Sequence, residues 1–131
     1  MKEHTTTARV RYGETDQMGV VYHANYLLFF EMGRTEWMRA EGLPYAALEE
    51  RGFFLTVTEA HLNFKSPGRY DAELKITTKV GEVGKASVRF DYEVRDGAGT
   101  VLCDGFTRLA CVDRKQKILR IPKDVLDRLM R

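Results

Sequence analysis

The stretch NYLLFFEMGRTEWMRAE, Asn25 to Glu41, restricts the possible folds of this chain more than any other. Its composition predicts a helix, with Gly42 suited to the position just past the last turn and Pro44 lying beyond. Tyr26, Leu27, Leu28, Phe29, Phe30, Met32, Gly33, Trp37 and Met38 cover most of the helix circumference. A helix that is apolar on nearly every side must be buried on nearly every side. A sheet curled around it would bury it.

The rest of the sequence can supply that sheet. Thr5 to Tyr12 reads as a short strand, with Ala8, Val10 and Tyr12 alternating against Arg9 and Arg11. A second short helix is expected from Tyr45 to Arg51, ending at Gly52. The apolar period then changes to two. Strands are expected at Phe54–Ser66, Ala72–Val80, Ala86–Arg95 and Val101–Asp113, with a short extended piece near Ile118. DGAG (Asp96 to Gly99) is a strong hairpin turn. Pro122 opens a C-terminal helix. The plan is α+β: one antiparallel sheet facing one long helix. No linker, repeat or low-complexity segment interrupts it, so residues 1–131 read as a single domain.

Bulk properties exclude several functions. A net charge of +2 is too small for a nucleic-acid stripe, although it leaves room for a local phosphate-binding patch. Cys103 and Cys111 fall in one expected strand, about 26 Å apart if fully extended, so they cannot pair within it. Two reduced thiols and no apolar leader predict a cytoplasmic protein. No run is long enough to span a membrane. His4, His23 and His61 show no metal-binding spacing, and no metal is expected. Neither phosphate-loop pattern is present, nor a G-x-S-x-G elbow.

The segment just before the helix is harder to explain as mere connection. YGETDQMGVVYHANYLLFFE (Tyr12 to Glu31) concentrates Asp16, Gly19, Tyr22, His23 and Asn25 in a short turn-forming stretch. Taken alone, Asp16 reads as a solvated turn residue or as a cap. Gly19 meets a turn requirement and Asn25 caps the helix. Glu31 and Arg34 are spaced for a surface pair. His23 stands at the helix mouth, where unpaired N–H groups and the helix dipole favour negative charge. Val20, Val21 and Phe29 are candidate wall residues.

This element order, with Y-x-x-T-D-x-x-G-V-V-Y-H-A-N-Y-L before the apolar helix, resembles the hot-dog fold thioesterases. Within them it resembles the 4-hydroxybenzoyl-CoA thioesterase family, and GVVYHANYLLFFE is most similar to the bacterial acyl-CoA thioesterase branch associated with the Tol-Pal system. The resemblance implies a sheet wrapped around the central helix and hydrolysis of an acyl-CoA thioester. Asp16 matches the family carboxylate, which acts as general base or as nucleophile. His23 and Tyr12 are the further catalytic candidates. Coenzyme A is part of the substrate, and no separate cofactor is implied. Its phosphates need donors. Lys85 lies in the glycine-containing turn VGEVGKAS, Lys65 and Arg69 in FKSPGR, and Arg89 further along a strand. The family further implies a homo-oligomer, dimer or homotetramer, with the site between subunits. Open sheet edges give a physical motive for such pairing. An acyl-carrier-protein thioesterase, a non-catalytic thioester-binding or scaffolding module, and a hot-dog dehydratase are the alternatives. Against the dehydratase, the loop lacks proline; against the binder, a pure binder has no need of Asp16.

Overall fold

Apolar residues at alternate positions commit four segments to one sheet. The computed structural model describes residues 2–131. Five antiparallel strands, β1 (Glu3–Arg9), β2 (Phe54–Phe64), β3 (Glu73–Val83), β4 (Ser87–Arg95) and β5 (Val101–Val112), lie in the order β1-β3-β4-β5-β2. Helix α1 (Asn25–Ala40) crosses the inner face over β1, β3 and β4. Short helices α2 (Tyr45–Glu50) and α3 (Lys123–Leu129) flank it. The chain thus adopts the hot-dog arrangement that its sequence resembles.

Inward positions of the central strands are sealed: Leu74, Ile76 and Val80 on β3, and Val88, Phe90, Tyr92 and Val94 on β4, are all buried. Against them α1 packs Phe30, parallel to the Tyr92 ring at 4.3 Å, and Trp37, edge-on to Phe90 at 5.6 Å. Glycines allow close approach at two places in the fold. At Gly33 a Cβ would lie 2.3 Å from Thr78 Oγ1, so the helix backbone rests directly on β3. At Gly105 a Cβ would lie 1.9 Å from the His61 carbonyl oxygen, where β2 folds hard against β5.

The end of α1 follows the sequence. Gly42 adopts φ +74, its N–H bonds Arg39 O, and Leu43 N–H returns to Met38 O at 2.8 Å. This is the Schellman pattern, with Leu43 buried as its apolar contact.

Four expectations are corrected. The first strand ends at Arg9, before Tyr12, because the Arg11 N–H bonds the Glu14 carboxylate at 2.7 Å and the chain turns into a 3-10 turn at Tyr12–Glu14. Tyr12 is consequently 80% exposed. The strand expected to stop at Val80 continues to Val83 past an irregularity in its pairing with β4. Helix α1 is not enclosed on nearly all sides in the single chain: the sheet covers one face, leaving Leu27, Leu28 and Met32 between 40% and 50% exposed.

Finally, Arg34 does not pair with Glu31 on the surface. It turns inward and donates Nε to the Tyr45 hydroxyl at 3.0 Å and a terminal nitrogen to the Tyr92 hydroxyl at 3.3 Å. Tyr92 in turn shares a hydrogen bond with Thr107. Burial pushes the Tyr45 phenol up to about 12 and raises Tyr92 as well, so the cation is met by neutral dipoles. Tyr45→Phe leaves the buried Nε without its acceptor, and urea unfolding should show a loss of about 1–3 kcal/mol. An unchanged midpoint would mean that water replaces the phenol.

Both cysteines lie in β5, free and buried. Burial, reinforced by Asp104, pushes the Cys103 thiol up to about 12, and burial raises Cys111 too. A thiolate is the reactive form. A colorimetric thiol reagent should therefore count no thiol in the native protein and both in denaturant; prompt reaction of the native protein would contradict this burial.

Candidate active site

Asp16 sits in a tight hairpin closed by a bridge between Thr15 and Val21. Its N–H bonds Val20 O at 2.9 Å, and its carbonyl accepts the N–H of Gly19, which needs φ +78. The Asp16 carboxylate supports the same turn: Oδ1 accepts the Met18 N–H at 2.9 Å and, more weakly, the Val20 N–H at 3.4 Å. Oδ2 bonds no other described residue. The turn residue and the chemical candidate are thus one group.

Glu14 joins this hairpin to the helix. Its carbonyl accepts both the Tyr22 N–H and the Asn25 side-chain amide, each at 2.9 Å. Asn25 is therefore not the cap: it is the first helical residue, and Ala24 before it already has helical angles. The chain enters α1 through 3-10 contacts, Asn25 N–H to Tyr22 O, Tyr26 N–H to His23 O and Leu27 N–H to Ala24 O. Among the described residues, the N–H groups of His23 and Ala24 take no backbone acceptor. They are the free donors at the positive end of the helix.

Asp16 and His23 meet across a cavity of about 320 Å³. Met18, Val20, Val21, Tyr26 and Phe64 make it largely apolar, and Lys65 stands on its wall. The His23 ring packs on Tyr22 at 4.5 Å and edge-on to Phe64 at 6.0 Å. Of the candidate wall residues, Val20 and Val21 line the cavity; Phe29 lies behind Tyr26, in the core. The wall is tied together by Gly68, whose carbonyl accepts the Val21 N–H at 2.9 Å. A Cβ at Gly68 would come within 3.0 Å of both Val21 and the Tyr26 hydroxyl.

The remaining candidates are dispersed. Tyr12 borders a second, open hollow on the other side of Asp16, edge-on to Tyr70 at 5.7 Å. Arg69 bridges Val20 through its backbone at the rim. Lys85 is in the β3–β4 turn, its carbonyl accepting the Ile121 N–H. Arg89 lies on the outer face of the sheet, 3.0 Å from Asp91 and 3.2 Å from Glu82, over the Phe106 ring. Neither of the last two borders this cavity. Glu14 and Gly68 escaped the sequence reading: their partners are backbone groups brought close only by folding. The Pro-Gly pair in FKSPGR is a turn signal that points to Gly68, but it does not say what the turn would touch. Among the described residues, no group of His, Cys, Asp and Glu side chains is placed to hold a metal ion.

The model of the Thioesterase-like superfamily matches residues 10–129. The chain belongs to that superfamily. It is 32% identical over 119 residues to the acyl-CoA thioester hydrolase YbgC of Escherichia coli, covering 90% of this chain and 89% of that one. Among solved structures, a hypothetical protein from Thermus thermophilus superposes with a TM-score of 0.92 at 37% identity, covering 98% of this chain and 96% of its own. A DHNA-CoA thioesterase from Staphylococcus aureus gives 0.89 at 32% identity, over 92% of this chain and 81% of its own. In this superfamily member, the matched region runs from the start of the Asp16 loop to the last helix.

Proposed function

We propose that this superfamily member is an acyl-CoA thioesterase, releasing a free acid and coenzyme A. One observation carries the reading: Asp16, with one carboxylate oxygen left unbonded among the described residues, and His23, at the start of α1 with its N–H free of a backbone acceptor, line one largely apolar cavity. A thioester carbonyl directed at the helix start gains stabilisation as its oxygen becomes an anion, worth about 3 kcal/mol for a well-aimed donor. Asp16 then acts in one of two ways. As general base it takes a proton from water, whose oxygen attacks the carbonyl carbon. As nucleophile it forms a mixed anhydride that water cleaves afterwards. In both, the C–S bond breaks and the thiolate leaves to be protonated. The His23 ring orients substrate or water at the mouth, and Tyr12 shapes the approach from the far side of Asp16.

Coenzyme A enters as part of the substrate. Lys65 and Arg69, nearest the cavity, are the first candidates for its phosphates. Lys85 and Arg89 reach it only from a second copy. Self-association accords with the two open sheet edges, β1 and β2, and with the exposed Leu27, Leu28 and Met32. A homodimer, or a tetramer built from dimers, is the proposed state. The stretch Tyr12–Glu31 supports the Tol-Pal-associated branch as the finer placement, in the cytoplasm.

The test is thiol release from short, long and aromatic acyl-CoAs. Turnover of at least one supports the reading. If none is cleaved but acyl-carrier-protein thioesters are, the carrier is the protein; stoichiometric binding without turnover of either leaves the binding module.

A further inference from the structure

Two aromatic side chains that line the cavity beside Asp16, Phe64 and Tyr26, stand 5.9 Å apart but differ sharply in burial. At the mouth, Phe64 is 54% exposed and the Met18 side chain 77%. The inner end is formed by Tyr26, only 3% exposed, in the first turn of α1. Its ring is wedged edge-on to Phe29 at 5.9 Å, and Phe29 is itself 1% exposed. Nothing behind the hydroxyl can yield: the Gly68 backbone is so close that a Cβ there would sit 3.0 Å from that oxygen and 3.3 Å from Leu102. Leu102 and Cys103, next along β5, are fully packed. Close-packed interiors do not open to admit extra methylenes without cost. The hollow across Asp16 offers no equivalent, being lined by Thr15, Gln17 and Gly19 as well as tyrosines.

We infer that Tyr26 is the floor of an acyl pocket and sets the longest straight acyl chain that this site accepts. This rests on the thioesterase reading of the same cavity. The occupant is an unbranched, saturated acyl tail whose carbonyl stays at Asp16. Lengthening the tail improves binding until its end meets the Tyr26 ring, after which each further methylene must be expelled past Phe64 or force the core apart. The hydroxyl has no part in the limit; the ring volume does.

The experiment measures binding of non-hydrolysable thioether analogues of acyl-CoA, from acetyl to dodecanoyl, by calorimetry. Wild type should show an affinity maximum followed by a fall; affinity that climbs throughout the series overturns the proposal. Tyr26→Leu and Tyr26→Ala should move the maximum to longer chains, changing the long-to-short preference by about tenfold, the usual scale for a methylene in an apolar pocket. Tyr26→Phe should keep the wild-type profile, and Phe64→Ala should weaken all lengths alike. An unmoved maximum in folded Tyr26→Leu, or a shift in Tyr26→Phe, overturns it. Thermal unfolding certifies each variant, and the wild-type series decides if the smaller side chains fail to fold. Parallel turnover assays keep the two ideas apart: a length limit without hydrolysis preserves the pocket and removes the enzyme reading, whereas hydrolysis indifferent to position 26 does the reverse.

Discussion

Asp16→Asn should lower thiol release from any accepted acyl-CoA by about a hundredfold or more, within the range usual for losing a positioned base. The substitution is chosen for what it keeps. The asparagine carbonyl can still accept the Met18 N–H that Asp16 Oδ1 accepts at 2.9 Å, so the turn survives. What disappears is the charge and basicity of the second oxygen. An amide neither takes a proton from water at neutral pH nor attacks a thioester. Binding of a thioether analogue should change little, which separates lost chemistry from lost affinity. Activity within threefold of wild type in a folded variant would remove Asp16 from the mechanism whatever the substrate.

The second large effect concerns stability. Gly105→Ala places a methyl 1.9 Å from the His61 carbonyl oxygen, with His61 C at 2.9 Å. The obstacle is backbone, so no rotamer relieves it, and β2 must move away from β5. Overpacking of this kind costs about 1–3 kcal/mol and more where the backbone shifts; a loss of about 3 kcal/mol is expected from urea unfolding. Because β2 leads directly into Phe64 and Lys65, the same variant should also lose substrate affinity. A midpoint equal to that of wild type would mean that the sheet edge is far more compliant than its geometry implies.

Much of this molecule could be read from its residues. The apolar period of two located β3, β4 and β5 to within a few residues, and Gly42 with Pro44 marked the end of α1. Those signals are local, because a strand or a helix cap depends on neighbours in sequence. Arg34 shows where such reading ends. Its spacing from Glu31 suits a surface pair, but which side of α1 faces the sheet is decided by Phe30, Trp37 and Gly33 fitting onto β3 and β4, and that choice carries Arg34 inward. The helix looked apolar all round for a related reason: composition records that Leu27, Leu28 and Met32 are apolar but cannot say that the sheet covers only one face of the helix. At the site, the Asp16 loop and the helix mouth were legible as a pair. Asn25 was misread as a cap because its partner, the Glu14 carbonyl, is eleven positions away.

The hydrogen bond between the Met18 N–H and Asp16 Oδ1 makes the loop its own spectroscopic probe. The Met18 amide proton points at Asp16 Oδ1, so its resonance must move when that side chain gains or loses a proton. A pH series of amide spectra, with Asp16→Asn as the blank, should report the charge on that carboxylate from a backbone group beside it.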